Sequence, residues 1–246
     1  METENFYQDF HRKRKFQKRI INDKNFTYRN IVKLLNKYAE GRDIIDIGCG
    51  VGTLDFYLAS KGKKVLGLDI SRNAIEIAKI NAKKLGVSES ITFKVSKFPS
   101  KVSRIKKKFD FALCIAVLEH IKNDKKALQE IYKVLKNKGS ALFSVPSENS
   151  PLYRFGLAKS YEERVGHLRR YNEKKFTLLL ESSGYKILEI KKEEGFLREA
   201  LFIFKPAELL IKIANRFEIF SDLLTYLDNL LKVFGEAQIN VIAVKK

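Results

Sequence analysis

Three groups of residues in this chain are of types and spacings that could do chemistry. The first lies in "DIIDIGCGVGTLDFYLA", where Asp46 precedes Gly48, Gly50 and Gly52, set between an apolar run and a helical pattern. Glycine reaches backbone conformations that other residues resist, and it lets a ligand come close to the main chain. The spacing is G-x-G-x-G, not the G-x-G-x-x-G of a dinucleotide pyrophosphate site. Asp46 beside the glycines disfavours a phosphate and favours a cationic group. The second is Asp69 at the end of "KVLGLDIS". Its carboxylate is suited to pair with two ribose hydroxyls, and it lies about twenty residues past the loop, as nucleoside sites in doubly wound folds require. The third is histidine. His120 stands beside Glu119 in "LEHI", and His167 belongs with Arg169 and Tyr171 to an H-x-R-x-Y set in "ERVGHLRRYNEKKF". Either histidine could serve as a base, with Arg169 and Tyr171 touching an anionic or oxygen-rich acceptor. Each also has a plainer reading, as an anchor for its loop or as part of a polar network pinning a lid.

The elements around these groups alternate. "DIIDIG", "KVLGLDIS", "ESITFKVSKF", "FDFALCIAVLEH" and "SALFSVPS" read as strands, with helical periodicity between successive ones. Strict alternation predicts a parallel sheet covered on both faces, and right-handed crossovers make it doubly wound. After residue 150 come one more helix and strand, then apolar helical stretches over 196–234, then a last strand in "AQINVIAVKK". The 196–234 region is therefore expected as an insertion at one edge of the sheet. Residues 5–40 read as helical. In such a fold ligands settle beyond the carboxyl ends of the strands, where the glycine loop, Asp69 and His120 all fall.

A ligand with a ribose, no phosphate and a positive charge fits S-adenosylmethionine. The segments "DIIDIGCGVGTLDFYLA", "VLGLDIS", "FDFALCIAVLEHI" and "VLKNKGSALFSVPS" resemble, in order, the successive motifs of class I S-adenosylmethionine-dependent methyltransferases. The resemblance covers roughly residues 30–195. The subgroup it most resembles is the small-molecule and lipid methyltransferases carrying "VLEH", such as those of ubiquinone and menaquinone biosynthesis. It implies a seven-stranded, mostly parallel Rossmann-like sheet in a single domain: an N-terminal helical cover over 1–40, a cofactor-binding core over 41–195, the insertion at 196–234 and a final strand at 235–246. It implies that Gly48, Cys49, Gly50 and Gly52 pack against the methionine part of the cofactor, with Asp46 near its amino group. Asp69 would hold the ribose, Ile70 would lie beside the adenine, and Ile115 would line the methionine side. The family often places an acidic residue after the third strand against the adenine amino group. Here Ser96 and Lys97 stand instead, and a backbone amide or the Ser96 side chain would have to replace it. Tyr7 and Arg29, in the N-terminal cover, are further candidates for the acceptor pocket. Some related quinone-pathway enzymes hold a divalent metal with carboxylates near His120; Ala116 removes one such ligand, and no metal is expected.

Composition narrows the partners. The chain has 246 residues, a formal net charge of +19, two cysteines and three histidines. Basic charge in such excess suits phosphate backbones. Here, though, it is spread along the chain, and its densest clusters lack the interleaved aromatics of a stacking platform, so nucleic acid is not favoured. Two well-separated cysteines suggest a reducing compartment, with no disulfide framework or metal cluster. No run approaches a membrane span and no signal sequence is evident, so a cytoplasmic protein is expected. The mixed apolar and basic character of 196–234 suits core packing, a dimer contact or peripheral membrane contact. The expected activity is methyl transfer to a small-molecule or lipid-linked acceptor, with oxygen as the acceptor atom, by a monomer or homodimer. An RNA or protein methyltransferase and an inactive cofactor-binding scaffold are the alternatives.

Overall fold

A computed structural model describes residues 16–100, 102 and 105–246. Seven strands form one sheet: β1 (Asp43–Ile47), β2 (Lys64–Asp69), β3 (Ile91–Val95), β4 (Phe109–Ile115), β5 (Leu135–Pro146), β6 (Tyr185–Glu193) and β7 (Gln238–Lys245). Their order across the sheet is β3-β2-β1-β4-β5-β7-β6. Neighbours from β3 to β5 pair in parallel, whereas β7 slots between β5 and β6 antiparallel to both. The order reverses between β1 and β4, which opens a crevice at the carboxyl ends of those strands.

The central strands are apolar on both sides because both faces are covered. Helices α1 (Arg29–Tyr38), α2 (Thr53–Ser60) and α3 (Arg72–Lys84) cover one face, where Val32, Leu35, Phe56 and Ala78 meet Ile44, Val65 and Leu113. Helices α4 (Asp124–Val134) and α7 (Glu173–Ser182) cover the other, where Leu128, Ile131, Phe176 and Leu180 meet Ile45, Phe143 and Val241. Two short helices, α5 (Pro151–Arg154) and α6 (Lys159–Val165), precede α7, which is capped by Asn172: its side chain accepts from the Lys174 amide.

Three expectations need correction. Residues 16–28 are irregular, and helix begins only at Arg29. The chain turns at Asn25, whose carbonyl accepts from the Tyr28 and Arg29 amides, and the preceding segment lies across the sheet's helical cover: the Gln17 amide donates to Asn81 Oδ1 and Thr53 Oγ1 donates to Gln17 Oε1. Second, β5 begins at Leu135, well before "SALFSVPS", directly after α4 ends at Val134. Third, Arg29 points away from the crevice. It is buried against the 196–234 region, where its guanidinium donates to Ser221, Thr225 and Asp222 at 2.7–3.2 Å. Tyr7 lies outside the described residues.

The 196–234 region forms α8 (Phe196–Ile203), α9 (Glu208–Arg216) and α10 (Glu218–Leu230), followed by a 3-10 turn, Leu231–Phe234. Phe26 from the N-terminal segment packs with Leu201 and Ala214 beneath them. No helix among the described residues is long and apolar enough to cross a membrane.

Candidate active site

A cavity of about 600 Å³ opens at the crevice, bounded by the ends of β1, β2 and β4. Asp46, Gly48, Cys49, Gly50, Asp69, Ile70, Ser96, Lys97 and Ile115 all line it, as do His120 and His167. Gly52 sits at the start of α2, just behind the rim.

The loop's shape follows from its glycines. Gly48 and Gly52 have φ of +79° and +86°, in the left-handed region. A Cβ on Gly48 would stand 2.3 Å from Val117, and one on Gly52 would stand 2.7 Å from the Phe93 ring. With these turns made, the Gly48 and Cys49 amides both donate to the Leu68 carbonyl, at 2.7 and 3.0 Å, tying the loop to β2. Gly48→Ala combines a left-handed alanine with a collision against Val117. It is expected to cost roughly 2 kcal/mol or more of stability, read as a lowered thermal midpoint.

Asp69 is held for a ligand by two backbone amides. Gly50 N donates to its Oδ2 at 2.8 Å and Ser71 N to its Oδ1 at 2.7 Å. These amides fix the carboxylate at the cavity wall, and a carboxylate oxygen accepts more than one hydrogen bond. The Ser96 amide donates to the Asp69 carbonyl, at 2.8 Å. This removes that amide as a substitute for the missing acidic residue and leaves the Ser96 hydroxyl at the cavity wall.

Behind the loop three carboxyls crowd together. Asp46 is buried, and its pKa is pushed up to about 7, first by burial and then by the charge of Asp69. Asp55, in the first turn of α2, is fully buried, and its carboxyl is hydrogen-bonded to that of Asp46. Burial, and then Asp46, push its pKa well above the carboxylate range. This corner is short of a positive charge, and a ligand ammonium beside Asp46 would supply one. Nothing in the sequence marked Asp55, which reads as an ordinary acidic residue near a helix N-terminus.

On the far wall the two histidines meet, with ring centroids 5.0 Å apart. His120 belongs to a 3-10 turn, Leu118–His120, after β4, and its Nδ1 donates to the Gly166 carbonyl at 3.0 Å. Burial, with the neighbouring His167 contributing, lowers its pKa to about 4, so it is neutral at physiological pH. Gly166 ends α6 in the left-handed conformation and turns the chain into His167. His167 Nδ1 lies 3.0 Å from Glu162 Oε2, and Arg170 donates to Glu162 Oε1 at 2.7 Å. Burial alone would raise Glu162, but these two partners hold it down at about 2. An ionised Glu162 can only accept, so His167 carries a proton on Nδ1, while its Nε2 lies 3.8 Å from Glu119 Oε1. Glu119, buried beneath, is raised to about 8 by burial, and its Oε2 has no hydrogen-bond partner.

Arg169 and Tyr171 do not line this cavity. Both bind Asp124 Oδ2 at the start of α4, at 2.8 and 3.0 Å, and the Tyr171 main chain pairs with Pro146 and Glu148. They pin the segment that carries His167, which corrects the expectation of acceptor contact. Tyr28, Tyr161 and Glu162 went unnoticed in the sequence. Tyr28 and Tyr161 line the cavity and Glu162 orients His167.

Glu119, His120 and His167 also form the one group of potential metal ligands among the described residues, with donor atoms up to 4.8 Å apart. Bonds of about 2.1 Å to a common ion would bring such atoms to within roughly 3.5 Å of one another, so this set is more open than a formed site.

Fold and crevice together define a Rossmann-like nucleoside-binding enzyme scaffold, and comparison with known proteins gives its family. Residues 13–190 match the family described as a methyltransferase domain, and the chain belongs to that family. A ubiquinone biosynthesis O-methyltransferase of Alkalilimnicola ehrlichii is 29% identical over 118 residues, 48% of this chain and 47% of that protein. The chain spans about half the length of the curated relatives it matches. Among solved structures, a putative sarcosine dimethylglycine methyltransferase from Galdieria sulphuraria superposes with a TM-score of 0.62 at 16% identity, covering 89% of this chain and 84% of that one. Magnesium protoporphyrin IX methyltransferase from Synechocystis with bound S-adenosylhomocysteine gives 0.59 at 17%, covering 89% and 82%. S-adenosylmethionine is the cofactor of this class, and the residues here fit it: paired acceptors on Asp69 for a ribose, and a buried acid corner for an ammonium.

Proposed function

We propose that the protein transfers the methyl group of S-adenosylmethionine to a hydroxyl of a small-molecule or lipid-linked acceptor. The observation that carries this reading is the single cavity that joins Asp69 and the glycine loop on one wall to His167 on the other. The cofactor supplies an activated methyl group on a sulfonium, which leaves the protein to align the acceptor and exclude water. Asp69 fixes the ribose, and Asp46 faces the amino group. His167, at the opposite wall of the cavity, would take the proton of the acceptor hydroxyl, and the cofactor would supply the methyl group that replaces it. Glu162 holds His167 in the tautomer that makes this possible, and Arg169 and Tyr171 keep its segment against α4. The curated relatives named for O-methylation support the oxygen acceptor.

The test is transfer of a labelled methyl group into a cell extract separated into lipid, small-molecule, RNA and protein fractions. Label in the lipid or small-molecule fraction, dependent on His167, is expected. Label confined to RNA or protein would overturn the reading. No step here needs a metal, so treatment with EDTA is expected to leave the rate unchanged. A rate lost to EDTA and restored by a divalent ion would assign Glu119, His120 and His167 a different task.

Asp46 makes cofactor binding depend on pH. Below about 7 it holds a proton and meets the ligand's ammonium as a neutral acid, whereas above that it meets it as a carboxylate. Affinity for S-adenosylhomocysteine is therefore expected to rise from pH 6 to pH 8, by roughly five- to tenfold, and then level off. Calorimetry across that range checks it, and Asp46→Asn is expected to flatten the profile.

A further inference from the structure

Helix α10 carries apolar residues on both sides. A surface helix ordinarily turns its apolar residues inwards. In α10 Phe220 and Leu224 do so, against Phe26, Leu201 and Ala214, and the most buried positions are Ser221, Thr225 and Asp228, while Ile219, Leu223, Tyr226, Leu227 and Leu230 are exposed. The inward polar row has partners. Arg29 donates to Ser221 and Thr225, at 3.2 and 2.9 Å, and Arg198 donates to Thr225 at 3.2 Å. Asp228 accepts from the amides of Gly195 and Arg198, at 2.9 and 2.7 Å. The outward apolar row stays 40–86% exposed among the described residues. Ile219, Leu223, Tyr226, Leu230 and Val233 follow one another at intervals of four, three, four and three residues. That is the seam of a coiled coil. Its two ends are the most open, with Ile219 86% and Val233 81% exposed.

We propose that this seam is where two copies of the chain associate, α10 against α10 across a two-fold axis. A symmetric contact requires a self-complementary surface, and a row that is apolar throughout meets its own copy apolar to apolar in every layer. The area suffices: with ordinary side-chain surfaces, the exposed parts of the seam residues, Leu227 and Phe234 come to roughly 800 Å² per copy, the size of one side of a stable interface. Charge argues for a second copy and against a lipid surface. Between residues 218 and 230 there is no Lys or Arg, so the helix offers an anionic bilayer no cation of its own. Asp222, beside the seam, is already paired with Lys24 and Arg29 of its own chain, at 2.8 and 2.7 Å, and places no bare charge in the contact. The contact is separate from the cavity, none of whose lining residues belongs to α8–α10.

Sedimentation velocity on the full chain tests this. The expected result is a species of twice 28.4 kDa at micromolar concentration. It should tighten as salt is raised, because the net charge of +19 repels a second copy until it is screened. Leu223→Glu with Leu230→Glu should give a monomer with unchanged circular dichroism and unchanged S-adenosylhomocysteine binding. The milder Ile219→Ser with Val233→Ser, at positions too exposed to hold up the fold, should weaken the dimer on the order of tenfold or more. A wild-type monomer at all salt concentrations would overturn the proposal, and so would a dimer indifferent to both double variants. Binding to phosphatidylglycerol vesicles that the same substitutions abolish, without a dimer in solution, would assign the face to a membrane.

Discussion

Asp69→Ala is expected to weaken binding of S-adenosylhomocysteine by about 100-fold or more while leaving the fold intact. Two charge-assisted hydrogen bonds to ribose hydroxyls, at about 1.5 kcal/mol each, supply most of that factor. A second loss adds to it: the Gly50 amide, which donates to Asp69 Oδ2, would be left without its acceptor in the middle of the loop. Asp69→Asn separates the two contributions. It keeps an oxygen for one amide and loses the charge, so an intermediate affinity is expected. Calorimetry on the three proteins checks the series, with thermal melts to confirm folding. Unaltered affinity in Asp69→Ala would remove the nucleoside from this wall.

His167→Ala is expected to lower the rate of methyl transfer by about 100-fold to 10,000-fold and to leave S-adenosylhomocysteine affinity nearly unchanged, because a base acts on the acceptor and not on the cofactor. Glu162→Gln probes the same proton more gently. Its amide can either donate to or accept from His167 Nδ1, so the tautomer is no longer imposed and the bond to Arg170 loses its charge. The rate should fall by about tenfold, with S-adenosylhomocysteine affinity unchanged. A purely structural Glu162 would lower the melting temperature and leave the rate unchanged. Rates in single turnover, with thermal melts, tell these outcomes apart.

Local pattern carried the sheet and the cofactor wall, because both depend on short-range signals. Alternating apolar strands and amphipathic helices placed β1–β5 in order, and the glycine loop and Asp69 lie at the ends of adjacent strands, where the topology alone brings them together. The acceptor wall was only half legible. His167, Arg169 and Tyr171 read as one set, yet the left-handed turn at Gly166 and the pull of Asp124 send the first to the cavity and the other two to α4. Arg29 was misread because its partners, Ser221, Asp222 and Thr225, are almost two hundred residues away and belong to the inserted helices. The same contact explains why α10 shows an apolar row outwards: two buried arginines, Arg29 and Arg198, take up its inward polar row. Amphipathic periodicity reports that a helix has two faces, but not which of them the fold covers. Asp55 escaped notice for a related reason, since a first-turn acid on a surface helix and one beneath a ligand loop look alike in sequence.

The most direct measurement is a crystal structure of the protein with S-adenosylhomocysteine. The expected result places both ribose hydroxyls within hydrogen-bond distance of Asp69, the amino group towards Asp46 and the thioether sulfur facing His167 across the cavity. Density for the nucleoside elsewhere, or a crevice closed by the side chains of Val117 and Phe98 with the ligand excluded, would contradict it.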